Sequence, residues 1–312
     1  MTDPSGVVLG GGRFELVSLI GRGATGEVFR ARDRGGGVVR DVCVKRLASD
    51  FASEHDLGLR EEAQLLASIR HANVVSLLAL GEDDGGGAFL VLELIDGLDL
   101  KTLTRRLDAL DDQSRIESLG QVPDHVAIHI ACALLRALAA VQRAVPGLVH
   151  RDVTPHNVLV STEGEVKLSD FGIALAFDRM RRTGPCIVKG KLGYMAPEQF
   201  HGEPLDGRTD LFAVGVVLYE LLTRARPWRG KRGMGELRAM DQGDAVPLLD
   251  RRPDLGRDVS LVIERLLALR KGDRFATADD ALRSLAPFGA GDLGSLRLAS
   301  LIATVVEPSN ET

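Results

Sequence analysis

Three oxygen-bearing side chains are spaced along one short stretch: Asp152, Asn157 five positions on, and Asp170 thirteen beyond that. Two carboxylates and a carboxamide are hard oxygen donors, suited to Mg²⁺ that keeps waters and phosphates as its other ligands. One carboxylate beside such a metal-phosphate site can act as a base. Upstream, Lys45 closes an apolar β run, Val42-Cys43-Val44-Lys45, where an ammonium is costly to bury unless paired. Glu62 lies on the apolar-periodic side of the next helical stretch and is the best counter-ion, with Glu61 as the alternative. Gly21-x-Gly23-x-x-Gly26-x-Val28 completes the set, because glycines let backbone N–H groups come close to phosphates. Each signal has a plainer reading: a glycine-rich hairpin without ligand, or an edge lysine that snorkels to water.

The elements that must hold these residues divide the chain. A dinucleotide-binding loop with the same glycine spacing must open a helix; here Glu27-Val28-Phe29-Arg30-Ala31 follows, so the loop joins two strands. Gly35-Gly36-Gly37 turns into a third strand, Val38–Lys45. Leu59, Glu62, Ala63, Leu66 and Ile69 recur at helical spacing within 53–70. Strands at 74–80 and 89–94 follow. Beyond Gly97 helices dominate: 124–145, 209–223, 259–269 and 277–285. The expected organisation is α+β and bilobal: a flexible polar N-terminus at 1–12, a β-rich lobe at 13–95 with one main helix, an α-rich lobe at 98–286, and a tail at 287–312 with a disordered end. The connector at 93–97 is the expected hinge. Polar residues 105–121 read as a loop insertion.

Bulk properties narrow the partners. Net charge is −5 with pI near 5.9, which does not suggest nucleic acid. Cys43, Cys132 and Cys186 are odd in number and widely spaced, fitting a reducing compartment better than disulfides or zinc. No signal pattern and no run of roughly 20 apolar residues is evident, with 211–222 the longest candidate. The expectation is a cytoplasmic protein without a membrane partner.

His150-Arg151-Asp152-x-x-x-x-Asn157, Asp170-Phe171-Gly172 and Ala196-Pro197-Glu198, after Lys45 and the glycine loop, resemble the eukaryotic-like (Hanks-type) Ser/Thr protein kinases in their bacterial form. The resemblance covers about Phe14 to Leu285, and Pro155 is similar to the Ser/Thr rather than the tyrosine kinases. It implies transfer of the ATP γ-phosphate to Ser/Thr hydroxyls of a protein substrate, with autophosphorylation. Asp152 would be the catalytic base, Asn157 and Asp170 the Mg²⁺ ligands (Mn²⁺ possible), and the Lys45–Glu62 pair would orient the α- and β-phosphates. Gly21, Gly23, Gly26, Val28, Cys43, Lys45, Leu92, Glu93, Leu94 and Leu159 would bind the nucleotide. Cys43 replaces the family's usual alanine, implying a tighter adenine fit. Glu198 would pair with Arg274, and Asp210 would anchor the catalytic-loop backbone. Leu66, Leu77, His150 and Phe171 fall at the positions of the apolar column of active kinases.

Two positions depart from the pattern. Thr154 stands where Ser/Thr kinases usually carry lysine, and Lys191 stands where they carry the threonine that meets it. The residue types are exchanged, so an ammonium and a hydroxyl would still sit beside Asp152, with Lys191 neutralising phosphate from the other side. The alternative is a solvated Lys191 and a Thr154 that marks lost activity, as in a nucleotide-binding pseudokinase acting as a scaffold. Thr183 is the only Ser or Thr between Gly172 and Gly190, hence the candidate autophosphorylation site, against an unmodified basic loop.

Overall fold

The computed structural model describes residues 6–22, 26–47, 52–114, 122–171, 192–229 and 233–306. Among these, one compact unit runs to Leu94 and a second begins at Ile95.

Unit 1 is one antiparallel sheet in the order β1-β2-β3-β4-β6-β5: β1 (Val8–Leu9), β2 (Phe14–Arg22), β3 (Gly26–Asp33), β4 (Arg40–Leu47), β5 (Leu77–Glu82) and β6 (Ala88–Glu93). Alternation builds its core. Leu16, Phe29, Ala31, Val42, Val44 and Val91 point to one cluster, where Phe14 and Phe89 meet edge to face at 5.8 Å. Helix α1 (Ala52–Ser68) packs on β4, β5 and β6. Asp33, 1% exposed, locks the hairpins together by accepting from Arg13, Arg40 and the Gly35 N–H.

The flexible N-terminus expected at 1–12 is corrected over its described part. Gly10, Gly11 and Gly12 take positive φ and turn the chain so that Val8 and Leu9 pair with Glu15 and Phe14. Leu9 is buried in the core cluster. Lys45 lies inside β4 rather than at its end, while Val38 and Val39 precede that strand and are exposed.

Unit 2 contains β7 (Gly97–Asp99), β8 (Val158–Ser161) and β9 (Val166–Leu168) in one small sheet. Its helices are α2 (Leu100–Ser114), α3 (Asp124–Ala144), α4 (Pro197–His201), α5 (Gly207–Thr223), α6 (Met234–Asp241), α7 (Leu248–Arg251), α8 (Arg257–Leu266), α9 (Ala278–Leu285) and α10 (Gly294–Ala303). Helix α3 is the centre, packed by α5, α9, α10 and β9. By length and composition α3 could cross a membrane, contrary to the expectation that no such run exists. Its Ala/Leu-rich surface is instead buried inside the unit.

One further expectation is overturned, and one left open is decided over the described residues. Residues 105–114 are not a loop insertion but most of α2: Leu100, Leu103 and Leu107 form a buried stripe, and Arg105, Arg106 and Asp108 are exposed. Positions 115–121 lie outside the described residues. The tail after 287, which the sequence left free to pack or to stay loose, packs over its described length. Leu298 and Ile302 of α10 are fully buried, Gly164 and Gly294 allow close approach to Ser295 and His129, and Arg106 donates to the Val305 carbonyl at 3.0 Å.

Candidate active site

In unit 1 the register aligns the expected phosphate-binding residues. Gly21 pairs with Val28, and Val28 pairs with Lys45 on the next strand; Cys43 pairs with Leu92. The partner of Lys45 is Glu62, not Glu61: Nζ lies 3.0 and 3.1 Å from its two carboxylate oxygens. Glu62 is 2% exposed and the lysine 14%, so the ammonium is shielded but not sealed. Glu93 accepts from the Ser76 N–H at 2.7 Å, Leu94 follows β6, and Leu159 sits in β8 opposite Asp99 and Lys167. Gly26 is buried at the start of β3; Gly23 lies outside the described residues.

In unit 2 a short loop precedes β8, and its 150–157 backbone is held at several points. The Asp210 carboxylate, buried in α5, accepts the His150 N–H at 2.8 Å and the Arg151 N–H at 2.9 Å. Burial pushes this carboxyl up to about 7, and the two N–H groups offset only part of that. The Asp152 N–H reaches His150 Nδ1 at 3.3 Å, and His150 Nε2 is 3.1 Å from the Ser169 carbonyl. The imidazole proton therefore belongs on Nε2. The His150 ring also packs on Phe171 at 4.6 Å. Leu66 and Leu77, the other expected members of that column, belong to unit 1, Leu66 buried and Leu77 half-buried.

Asn157 ties the acids together. Its Nδ2 donates to the Asp152 carbonyl and to Asp152 Oδ2, both at 2.8 Å. The Ser169 N–H in turn donates to the Asn157 carbonyl at 2.9 Å, which brings the backbone at Asp170 beside that of Asn157. Asp170 itself has φ +54°. The carboxamide nitrogen is spent on Asp152, leaving the hard oxygen Oδ1 as the Asn157 donor, with the Asp170 carboxylate as the second. That donor chemistry fits a divalent ion completed by phosphate and water. Among the described residues no cluster of three or more His, Cys, Asp or Glu offers a metal a different home.

The expected scaffold pair is present. Arg274 donates to Glu198 from Nη1 at 2.7 Å and Nη2 at 2.9 Å, and also reaches the carbonyls of Ala268, Leu269 and Arg208. Burial works to raise the Glu198 carboxyl, but the Arg274 hydrogen bonds hold it below its ordinary value. Thr209 adds a bond at 2.9 Å. Helix α5 starts at Gly207, capped by Asp206, so Asp210 lies in its first turn.

Thr154 is 2% exposed, and its buried Oγ1 has no hydrogen-bond partner among the described residues. Lys191 and Thr183 lie outside the described residues. Sequence reasoning missed the support under 192–194. Tyr194 donates to Glu220, the Arg226 guanidinium lies 4.5 Å from the Tyr194 ring centroid, and Glu236 holds Arg226 at 2.7 Å. A Cβ on Gly193 would stand 2.1 Å from Arg226 Nη1, so that position takes glycine. Nothing in the spacing of Arg226 or Glu236 announces this; only the small residue beside a tyrosine hints at close packing.

The family model described as "Protein kinase domain" matches residues 14–285. The chain belongs to the protein kinase family. It is 32% identical over 303 residues to "Tyrosine-protein kinase MasK" of Myxococcus xanthus, covering 93% of this chain and 46% of that one. Against "Serine/threonine-protein kinase PknA" of Mycobacterium tuberculosis it is 34% identical over 296 residues, covering 91% of this chain and 64% of that one. The chain thus spans about half the length of these relatives. Among solved structures it is similar to the PknI kinase domain of Mycobacterium tuberculosis, with TM-score 0.66 and 25% identity, covering 92% of this chain and 99% of that one. Protein kinases use ATP with a divalent metal, and here the fold is the family's α+β arrangement.

Proposed function

We propose that this chain is an ATP-dependent protein Ser/Thr kinase that phosphorylates protein substrates and itself. The observation that carries the reading is the contact of Asn157 Nδ2 with Asp152 Oδ2 at 2.8 Å, in a loop whose backbone also brings Asp170 alongside. It fixes one carboxylate for a hydroxyl and leaves an oxygen pair for a metal. Mg²⁺, or Mn²⁺ in its place, would be held by Asn157 and Asp170 and supplies charge neutralisation at the phosphates when bound. Asp152 accepts the proton of the attacking hydroxyl or aligns it; the hydroxyl oxygen bonds to the γ-phosphorus as its bond to the bridging oxygen of ADP breaks. Lys45, held by Glu62, orients the α- and β-phosphates. Pro155 and the relative PknA support Ser/Thr hydroxyls as acceptors; the relative MasK is named for tyrosine. The buried thiol of Cys132, which forms no disulfide, supports a reducing, cytoplasmic setting.

Thr154 and Lys191 are read as one exchange. The buried, unpartnered Thr154 hydroxyl supports it, because such a group costs free energy unless something outside the described residues meets it. The second reading, a nucleotide-binding pseudokinase, rests on the residue types at Thr154 and Lys191. Transfer of labelled γ-phosphate to a generic basic protein, with Asp152→Asn as the blank, separates the two. ATP binding without transfer supports the scaffold. Lys191→Ala should lower transfer by roughly 10²-fold, the scale of lost transition-state charge stabilisation; unchanged transfer ends the exchange reading. Mapping phosphate after incubation with ATP and Mg²⁺ tests Thr183, and modification solely elsewhere refutes it.

A further inference from the structure

We propose that Gln199 is a positioning residue for the 150–157 loop, acting through its carboxamide on the backbone of Arg151. The activity readout of this proposal rests on the kinase reading; its geometry does not. Arg151 is a non-glycine residue at φ +68°, a conformation that side chains with a Cβ disfavour. Something must hold it there. Asp210 holds the amino side by accepting the Arg151 N–H at 2.9 Å. The carbonyl side is held by Gln199, whose Nε2 donates to the Arg151 oxygen at 3.0 Å. The same carboxamide uses Oε1 to accept from the Ala196 N–H, also at 3.0 Å.

Both ends of that amide are spent, and their polarity fixes its orientation. The donor must face a carbonyl and the acceptor must face an N–H. Arg151 can relax by rotating about either side of its Cα. Asp210 restrains one rotation and Gln199 the other. The peptide plane that Gln199 holds is the one leading into Asp152, whose N–H donates to His150 Nδ1 at a long 3.3 Å. Gln199 therefore links the start of α4 to the residue that must meet the substrate hydroxyl. Neither the Ala196-Pro197-Glu198 motif nor the His150-Arg151-Asp152 motif names it.

The experiment compares Gln199→Leu and Gln199→Glu with the parent chain. Leucine removes both bonds; glutamate keeps an acceptor for Ala196 but turns an anionic oxygen on the Arg151 carbonyl. Both should lower kcat about tenfold with KM for ATP nearly unchanged, as a small misplacement of a reacting group does. The same Gln199→Leu change is then made in an Arg151→Gly background, where glycine takes positive φ without strain. There it should cost little. A merely structural role would cost the same in both backgrounds, and equal losses overturn the proposal. Amide hydrogen exchange over 150–157 is read on the same samples and should quicken in Gln199→Leu. If the parent transfers no phosphate, the kinase reading fails and exchange alone decides the positioning. Unchanged exchange in Gln199→Leu sinks it.

Discussion

Two buried ion pairs, one in each unit, are built to opposite ends. Lys45–Glu62 keeps the ammonium 14% exposed beside the Glu62 carboxylate. Arg274–Glu198 buries its guanidinium completely, stacks it 4.8 Å from the Phe212 ring, and spends it on a carboxylate and three carbonyls. A point charge on a flexible stem can serve a ligand; a planar fork with every edge occupied can only serve the fold. On the proposed reading one family motif set contains both a ligand-facing and a fold-bearing charge, and exposure separates them.

The comparison can be broken in four ways. Lys45→Arg preserves the charge beside Glu62 but not its reach, so transfer should fall by roughly 10²–10³-fold while thermal stability stays near that of the parent. Comparable loss of stability would make this pair structural. Arg274→Met leaves the buried Glu198 unpaired and should destabilise unit 2 by about 3–5 kcal/mol. Trp228, the one tryptophan, is buried and stacked on Phe212 in that unit, so its fluorescence follows the unfolding. Leu298→Ala tests whether α10 belongs to the same fold. It should cost about 2–3 kcal/mol, the low end for a buried leucine, with nucleotide KM unchanged.

The fourth test is pH dependence. The Asp210 carboxyl titrates near 7 when folded, against about 3.9 in an unfolded chain. A raised folded value favours folding in full below the unfolded one and loses that contribution as pH rises through about 7. Melting temperatures across pH 4–8 should therefore fall more steeply in the parent than in Asp210→Asn. Parallel curves would mean that the two N–H groups keep the carboxylate ionised throughout.

What was legible in the sequence was whatever a fixed chemistry demands. Asp152, Asn157, Asp170 and Lys45 are specified by residue type and spacing, and Glu62, Glu198, Asp210 and Arg274 meet the groups expected of them. What depends on packing was not legible. Helix α2 was hidden because its buried stripe of Leu100, Leu103 and Leu107 is diluted by charged residues that only the fold assigns to the solvent side. In α10 the stripe was obscured from the other direction, since exposed Leu296 blurs the four-residue spacing of Gly294, Leu298 and Ile302. Strand β1 is two residues long, and a glycine-rich flank disguised the one buried side chain, Leu9. Gln199 and Arg226 act on backbone and ring atoms that no pattern of side chains records.

Phosphoamino-acid analysis after incubation with γ-labelled ATP, Mg²⁺ and a generic basic protein tests the account most directly, with Asp152→Asn run in parallel. Label on phosphoserine or phosphothreonine, absent from the Asp152→Asn sample, is the expected result. Label on phosphotyrosine, equal label in the Asp152→Asn sample, or ATP bound with no label transferred would contradict it.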